Sequence, residues 1–204
     1  AGVVIGGGQT LTVNLAGAPG EADGQGAKIN NLMGATGSSL VVNNTEDGTA
    51  VVILNNKQMT TGEDDIDPAG QDTVMGGSIT GGSNVTFIKE GTGTLTVGGT
   101  MDVETLALRE GNIILNGTEN SLDTLTLEGG GLTISGNAEI ETITGTEAGG
   151  TLAIQGTLDL TGTSSINNGA ITGTGSLRIR EGAELALGGE ARLDGTSAVS
   201  YTHL

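Results

Sequence analysis

The sequence predicts an all-β protein, a single-stranded parallel β-helix in which each coil takes about 19 residues and three short strands. The first observation is a threonine that returns at a nearly constant interval, at Thr86, Thr105, Thr124, Thr142 and Thr161. A fixed period of this length is typical of solenoids. The second is composition: 39 Gly, 35% hydrophobic residues and 1% aromatics in 204 residues are too few bulky side chains for a globular core.

Each unit carries three strand patterns whose apolar residues share one face. The first strand follows the recurring threonine, as in Leu106-Ala107-Leu108 and Leu125-Thr126-Leu127, although Thr161 has no such strand behind it. The apolar residues of the second strand are Leu95, Val97, Ile113, Leu115, Leu132, Ile134, Leu152 and Ile154. The third strand is marked by Val103, Leu122, Ile140 and Leu158-Asp159-Leu160. Because such short strands cannot bury their own apolar faces, we expect the coils to stack in parallel, with aliphatic ladders inside and the threonine ladder outside.

A glycine closes the second strand of each unit, at Gly99, Gly117, Gly136 and Gly156. We expect each of these glycines to adopt the positive φ of a sharp corner.

An antiparallel sandwich with short strands and Gly-rich turns is the alternative architecture, but the constant period favours the helix. The regular apolar alternation argues against a disordered chain.

The chain divides into three regions. Residues 1–85 are predicted to form irregular coils with strands at Ile5, 11–15, 39–42 and 50–54, and with a polar, acidic loop at 55–73. Residues 86–199 form the regular repeats. Residues 200–204, which hold the single Tyr and the single His, are expected to be a non-native or disordered tail.

Charge and cysteine content exclude several classes of function. Seven basic residues against 24 acidic residues give a net charge of −17, which disfavours nucleic acid and anionic membranes as partners. Zero Cys excludes disulfides, thiolate metal sites and a cysteine nucleophile.

No apolar run reaches the roughly 20 residues of a membrane span, so no transmembrane segment is expected. The first residues lack the basic start of a signal peptide, so we expect that a leader has been removed or that the chain is an excerpt.

The segment Phe87-Ile88-Lys89-Glu90-Gly91-Thr92-Gly93-Thr94-Leu95-Thr96-Val97-Gly98-Gly99, which continues to Gly117, resembles the passenger-associated transport repeat of bacterial autotransporters. A weaker second copy begins at Gly173-Thr174-Gly175-Ser176-Leu177, and the two together cover about a quarter of the chain. The resemblance implies a right-handed β-helix at the bacterial cell surface, associated with the outer membrane. It also implies export through a downstream β-barrel translocator outside these residues, and host or cell-surface glycans or proteins as further partners.

Candidate chemistry is sparse. The single His, His203, leaves no base for a nucleophilic triad. Paired carboxylates of a carbohydrate-active β-helix enzyme, similar to a polysaccharide lyase, are an alternative, although aromatic sugar platforms are lacking. The acidic residues Glu63, Asp64, Asp65, Asp67 and Asp72 are weak candidates for Ca²⁺ ligands. The alternative interpretation of the same residues is an ordinary solvated loop. Otherwise we expect no cofactor and no catalytic residues.

The outward threonines also fit an ice-binding face, since Thr124-Leu125-Thr126 and Thr142-Ile143-Thr144 form Thr-x-Thr arrays, but positions 88 and 107 are Ile and Ala. A structural ladder of β-branched residues explains the same threonines without a ligand. The sequence as a whole therefore predicts a non-enzymatic, extracellular stalk or adhesion scaffold. The carbohydrate-active enzyme and the ice-binding protein remain alternatives.

Overall fold

A computed structural model describes residues 2–16, 26–46, 48–56 and 70–195, together with the backbone of 198–201. Across these residues the chain is all β, with parallel pairing throughout and no helix. The predicted parallel β-solenoid is confirmed. The strands are β1 (Val4–Ile5), β2 (Thr10–Leu15), β3 (Ala27–Asn30), β4 (Met33–Gly34), β5 (Ser39–Asn44), β6 (Ala50–Asn55), β7 (Thr73–Met75), β8 (Ser78–Gly81), β9 (Val85–Glu90), β10 (Thr94–Val97), β11 (Met101–Leu108), β12 (Asn112–Leu115), β13 (Asn120–Leu127), β14 (Gly131–Ile134), β15 (Asn137–Gly145), β16 (Thr151–Ile154), β17 (Thr157–Leu160), β18 (Thr163–Asn167), β19 (Ala170–Thr172), β20 (Ser176–Ile179), β21 (Glu184–Gly188), β22 (Arg192–Leu193) and β23 (Ala198–Tyr201).

The strands stack in three ladders, which we call the first, second and third faces. The first face is a nine-stranded sheet in the order β1-β4-β7-β10-β12-β14-β16-β19-β22. The second face follows β2-β5-β8-β11-β13-β15-β17-β20-β23. The third face begins with β3-β6-β9-β11 and ends with β15-β18-β21. Since β11, β13 and β15 run on from the second face into the third, two of the predicted strands merge into one in these three coils.

Aliphatic side chains fill the interior in columns that the repeat predicts. Val97 pairs with Leu115, Leu115 with Ile134 and Ile134 with Ile154, and all four are fully buried. On the third face the buried column contains Phe87, Leu106, Leu125 and Ile143. Because each coil covers the apolar side chains of the next, a continuous narrow core forms, in which Phe87 is the one buried aromatic side chain among the described residues.

The threonine ladder is confirmed for four of its five members. Thr86, Thr105, Thr124 and Thr142 pair in register on the outer side of the third face. Thr161 does not continue the ladder, because it follows β17 on the second face, where its N–H donates to the Ile140 carbonyl. The third face resumes only at β18, which begins at Thr163.

The corner glycines are needed for a reason other than the predicted one. None of Gly99, Gly117, Gly136 and Gly156 has a positive φ. Instead they stack so tightly that a Cβ on Gly136 would lie 2.0 Å from the Gly117 carbonyl oxygen, and one on Gly156 would lie 1.7 Å from that of Gly136. This glycine ladder therefore allows successive backbones to approach closely, which any side chain would prevent.

The coils before β9 are longer, although they pair in the same parallel way. Paired Gly34 and Met75 are 41 positions apart, whereas paired Leu95 and Ile113 are 18 apart. In this coil the extra length includes the acidic segment between β6 and β7, of which residues 57–69 lie outside the described part of the chain. The first coil lacks that segment and is still longer than the regular ones, since paired Ile5 and Gly34 are 29 positions apart. No helix long and apolar enough to cross a membrane occurs among the described residues.

The end of the chain departs from expectation at two residues. Ser200 and Tyr201 belong to β23, whose backbone pairs with β20 through Arg178 and Ile179. They therefore extend the second face, whereas we expected residues 200–204 to lie outside the repeat. Residues 202–204 are outside the described part of the chain.

Candidate functional site

The second face carries a column of charged residues on its outer side. Because alternate residues of a strand point to opposite faces, the neighbours of the buried Leu122, Ile140 and Leu158 point outward. These outward residues pair in register from one coil to the next: Asp102, Ser121, Glu139, Asp159 and Arg178. A second row, Glu104, Asp123 and Glu141, lies beside this column where β11, β13 and β15 turn into the third face. We call the two rows together the acidic face.

A groove of about 440 Å³ lies along this column. Its lining is polar and comes from four successive coils: Thr118, Glu119, Asn120, Ser121, Asn137, Ala138, Glu139, Thr157, Asp159 and Arg178. Asn120 lies at the bottom of the groove. The Asn120 side chain is buried, accepts a hydrogen bond from the Met101 N–H, and donates to the carbonyls of Gly117 and Asn137.

Two arginines neutralise one end of the acidic face. Arg180 Nη2 lies 2.6 Å from Asp159 Oδ2, and Arg178 Nη1 lies 3.9 Å from Asp159 Oδ1. The Asp159 side chain is 18% exposed, and its Oδ1 accepts no hydrogen bond from the described residues. Glu139, one coil away in the same column, has no ion pair among those residues.

The groove offers three carboxylates (Glu119, Glu139 and Asp159), hydroxyls, amides and a guanidinium on a parallel sheet. Glu139 and Asp159 are Cα partners on adjacent strands, which places their backbones about 4.8 Å apart. Carboxylate pairs at separations of about 5–10 Å carry glycoside hydrolysis, and hydroxyl and amide groups bind sugar hydroxyls. The arrangement therefore suits recognition of a hydroxyl-rich ligand, although the ion pairs of Asp159 oppose its use as a free base.

Sequence reasoning missed this column, yet a signal for it was present. Ser121, Glu139, Asp159 and Arg178 follow one another at nearly the same interval as the members of the threonine ladder. A search for charged residues that share the repeat period would have predicted the acidic face.

Of the five weak candidates for Ca²⁺ ligands, only Asp72 lies in the described part of the chain. Glu63, Asp64, Asp65 and Asp67 fall in 57–69, outside the described part of the chain. Asp72 has a structural contact, because its Oδ1 accepts a hydrogen bond of 2.7 Å from the Thr94 N–H. Over the ranges that the structure describes, no group of three or more acidic or histidine side chains is placed to hold a metal ion.

The outward threonines of the third face form two columns. Thr126 pairs with Thr144 beside the ladder of Thr124 and Thr142, so that the Thr-x-Thr arrays stack over two coils. On the coils before them the second column contains Ile88 and Ala107, which are buried. Ice binding through this face stays a prediction.

Lys89 is a structural residue in this fold. Lys89 is completely buried, and its Nζ donates to the carbonyls of Gly91 at 2.7 Å and Glu90 at 2.9 Å. Desolvation lowers the pKa of Lys89 to about 8, against the opposing effect of the nearby carboxylates of Glu110, Asp72 and Glu90. Since no atom of the side chain reaches the surface, Lys89 cannot contact a ligand directly.

Charged side chains outside the acidic face form an ion-pair ladder at the corner between the third and first faces. Glu90 pairs with Lys28 and Arg109, and Arg109 donates from Nε to Glu128 at 2.9 Å. This hydrogen bond with Glu128 raises the pKa of Arg109. The partners are partly exposed, so such pairs stabilise the fold by at most about 1 kcal/mol each.

The chain matches no family model, no curated protein and no solved structure.

Proposed function

We propose that this chain is a non-enzymatic stalk segment of an autotransporter-like surface protein, which holds adhesive or other parts away from the cell. The observation that carries the proposal is the unbroken register of the inward columns from β10 to β20. Coils that share one continuous core cannot bend independently, so the stack acts as a stiff rod that lengthens by about 4.8 Å per coil.

The outer surface fits an extracellular spacer. Threonines and other polar residues face outward on the third face. The excess of carboxylates that gives the chain its charge of −17 keeps copies of it apart by repulsion. The resemblance of residues 87–117 to a passenger-associated transport repeat adds cell-surface location and export through an outer-membrane barrel to the proposal.

Coil duplication tests the spacer function. Residues 112–130 form one coil, because Asn112 and Gly131 are paired. Three further copies of this segment inserted after Gly130 should lengthen the molecule by about 14 Å in solution scattering, with the unfolding transition retained. The control is one insertion of residues 112–121 alone, which places apolar side chains outside and should unfold the stack. A molecule that accepts the whole coils without lengthening would contradict a rod.

Surface presentation tests the proposed location. The chain, preceded by an epitope and followed by an outer-membrane barrel translocator, should expose the epitope to antibody and protease on intact Gram-negative cells. The matched control replaces the chain with a disulfide-bonded domain of similar length, which should be retained. Retention of both passengers inside the cell would contradict a passenger role.

A carbohydrate-active enzyme is the second candidate, favoured by one observation: Glu139 and Asp159 in register inside the polar groove, with Arg178 beyond them. Cleavage of any member of a panel of neutral and acidic polysaccharides, abolished by Glu139→Gln and by Asp159→Asn, would establish this function in place of the stalk. Asp102→Asn, in the same column but outside the lining of the groove, is the control and should leave cleavage unchanged.

A further inference from the structure

A buried polar cluster lies at the corner that follows β9. Lys89 pairs with Leu54 of the preceding coil and with Leu108 of the next coil, and Leu108 pairs with Leu127. These three leucines are buried, and the Lys89 side chain is 0% exposed. Lysine thus occupies an inward position that the neighbouring coils fill with leucine.

The ammonium of Lys89 connects two successive turns. It donates to the Glu90 and Gly91 carbonyls of its own turn and, at 3.4 Å, to the Glu110 carbonyl of the next turn. The Glu110 side chain forms a second link between the same two turns, because its Oε2 accepts a hydrogen bond of 3.2 Å from the Gly91 N–H. Both turns are therefore held in one relative position.

Two glycines make space for this cluster. Gly91 and Gly111 have φ values of 75° and 64°. A Cβ on Gly111 would lie 2.9 Å from Lys89 Nζ and 2.4 Å from the Gly91 carbonyl oxygen. The two turns are thus shaped for the ammonium, since a residue with a side chain at 111 would displace it.

The preceding coil adds a second buried polar residue. Asn56, 1% exposed, donates from Nδ2 to Thr73 Oγ1 at 2.7 Å and to the Gln71 carbonyl at 3.0 Å. Its backbone N–H donates to the Glu90 carbonyl. The carboxylates that face the ammonium are Glu90 on its own strand, Glu110 in the next turn and Asp72 before β7.

We propose that Lys89 is a register lock, which makes the stacking of β9 on β11 unique and so sets the alignment of the coils that follow. The apolar column beside it cannot fix the register alone. Phe87, Leu106 and Leu125 share one column, and a strand shifted by two residues still buries apolar side chains. The same shift would move Nζ about 6.6 Å away from the Glu110 carbonyl and leave a buried cation short of partners. The proposal is independent of the stalk function.

The test compares Lys89→Met with Leu108→Met in the full chain. Leu108→Met is the matched control, because it places the same side chain in the same column on the next coil. With a register lock, Lys89→Met stays folded at pH 7 but shows more than one set of amide NMR signals for residues 85–111. In those strands the hydrogen-exchange protection of Lys89→Met falls at least tenfold. Leu108→Met instead keeps a single set of amide NMR signals.

A single set of signals with unchanged protection in Lys89→Met would overturn the proposal. If Lys89→Met does not fold, Lys89→Leu decides by the same readout, because leucine fills this column on the adjacent coils and has no hydrogen-bond donor. Multiple signal sets in Lys89→Leu support the lock, and a single set with protection equal to that of the unsubstituted chain overturns it.

Discussion

At the residue scale, the buried ammonium of Lys89 makes stability depend on pH. Burial lowers its pKa from 10.5 to about 8, so between these values the unfolded chain binds more protons than the folded chain. The free energy of unfolding therefore rises with pH across this interval, and the contribution of Lys89 is least favourable below pH 8. Denaturant titrations from pH 7.5 to 10.5 should show a rise that Lys89→Met lacks.

Lys28→Met is the control for this pH dependence. Lys28 pairs with the same Glu90, yet its side chain is 47% exposed, so its replacement should leave the rise in place. An unsubstituted chain that loses stability from pH 8 to 10.5 relative to Lys89→Met would contradict the burial of the ammonium.

The glycine ladder gives a second prediction at this scale. Gly156→Ala places a Cβ against the Gly136 carbonyl, and overpacking of this kind costs about 1–3 kcal/mol or more. Gly82→Ala is the control, because its Cβ would meet nothing closer than 3.6 Å. Thermal denaturation should show a lower Tm for Gly156→Ala and little change for Gly82→Ala. Equal Tm values for the two variants would mean that the coils do not approach as closely as described.

At the scale of the strand, stability depends on which side of a ladder a residue faces. Leu125 is fully buried between Leu106 and Ile143, whereas the adjacent Thr124 faces outward. Leu125→Ala should lower the free energy of unfolding by about 2–5 kcal/mol, and Thr124→Ala by less than about 1 kcal/mol. Chemical denaturation of the two variants measures this difference. Comparable losses would contradict the assigned faces.

The sequence predicts these strands well wherever the repeat is regular. Columns such as Val97, Leu115, Ile134 and Ile154 follow directly from apolar residues at one period. The merging of two strands in β11 is not predictable in this way, because Glu104 and Thr105 continue the extended backbone between two strands that the sequence predicts as separate. Thr161 is a second example. It keeps the interval of the threonine ladder but lies on the second face, and the interval alone does not show on which face a residue lies.

At the scale of the whole molecule, charge is distributed by face. The strands β10, β12, β14, β16 and β19 of the first face contain no charged residue, while the second face presents the acidic columns. The net charge is readable from composition, and the charged column from its repeat period. The groove beside Glu139 and Asp159 is not readable in this way, because it depends on how side chains of four successive coils pack.

The stacking of coils in one register is the central claim, and a distance between two spin labels tests it most directly. Asp102 and Arg178 are both exposed and lie four strand steps apart in one outward column, through Ser121, Glu139 and Asp159. The chain has no Cys, so Asp102→Cys with Arg178→Cys gives two defined labels. Pulsed electron paramagnetic resonance should give one distance of about 19 Å, broadened by the label tethers, because adjacent strands lie about 4.8 Å apart. A broad or much longer distance, as an antiparallel sandwich would give, would contradict the solenoid and the stiff rod proposed from it.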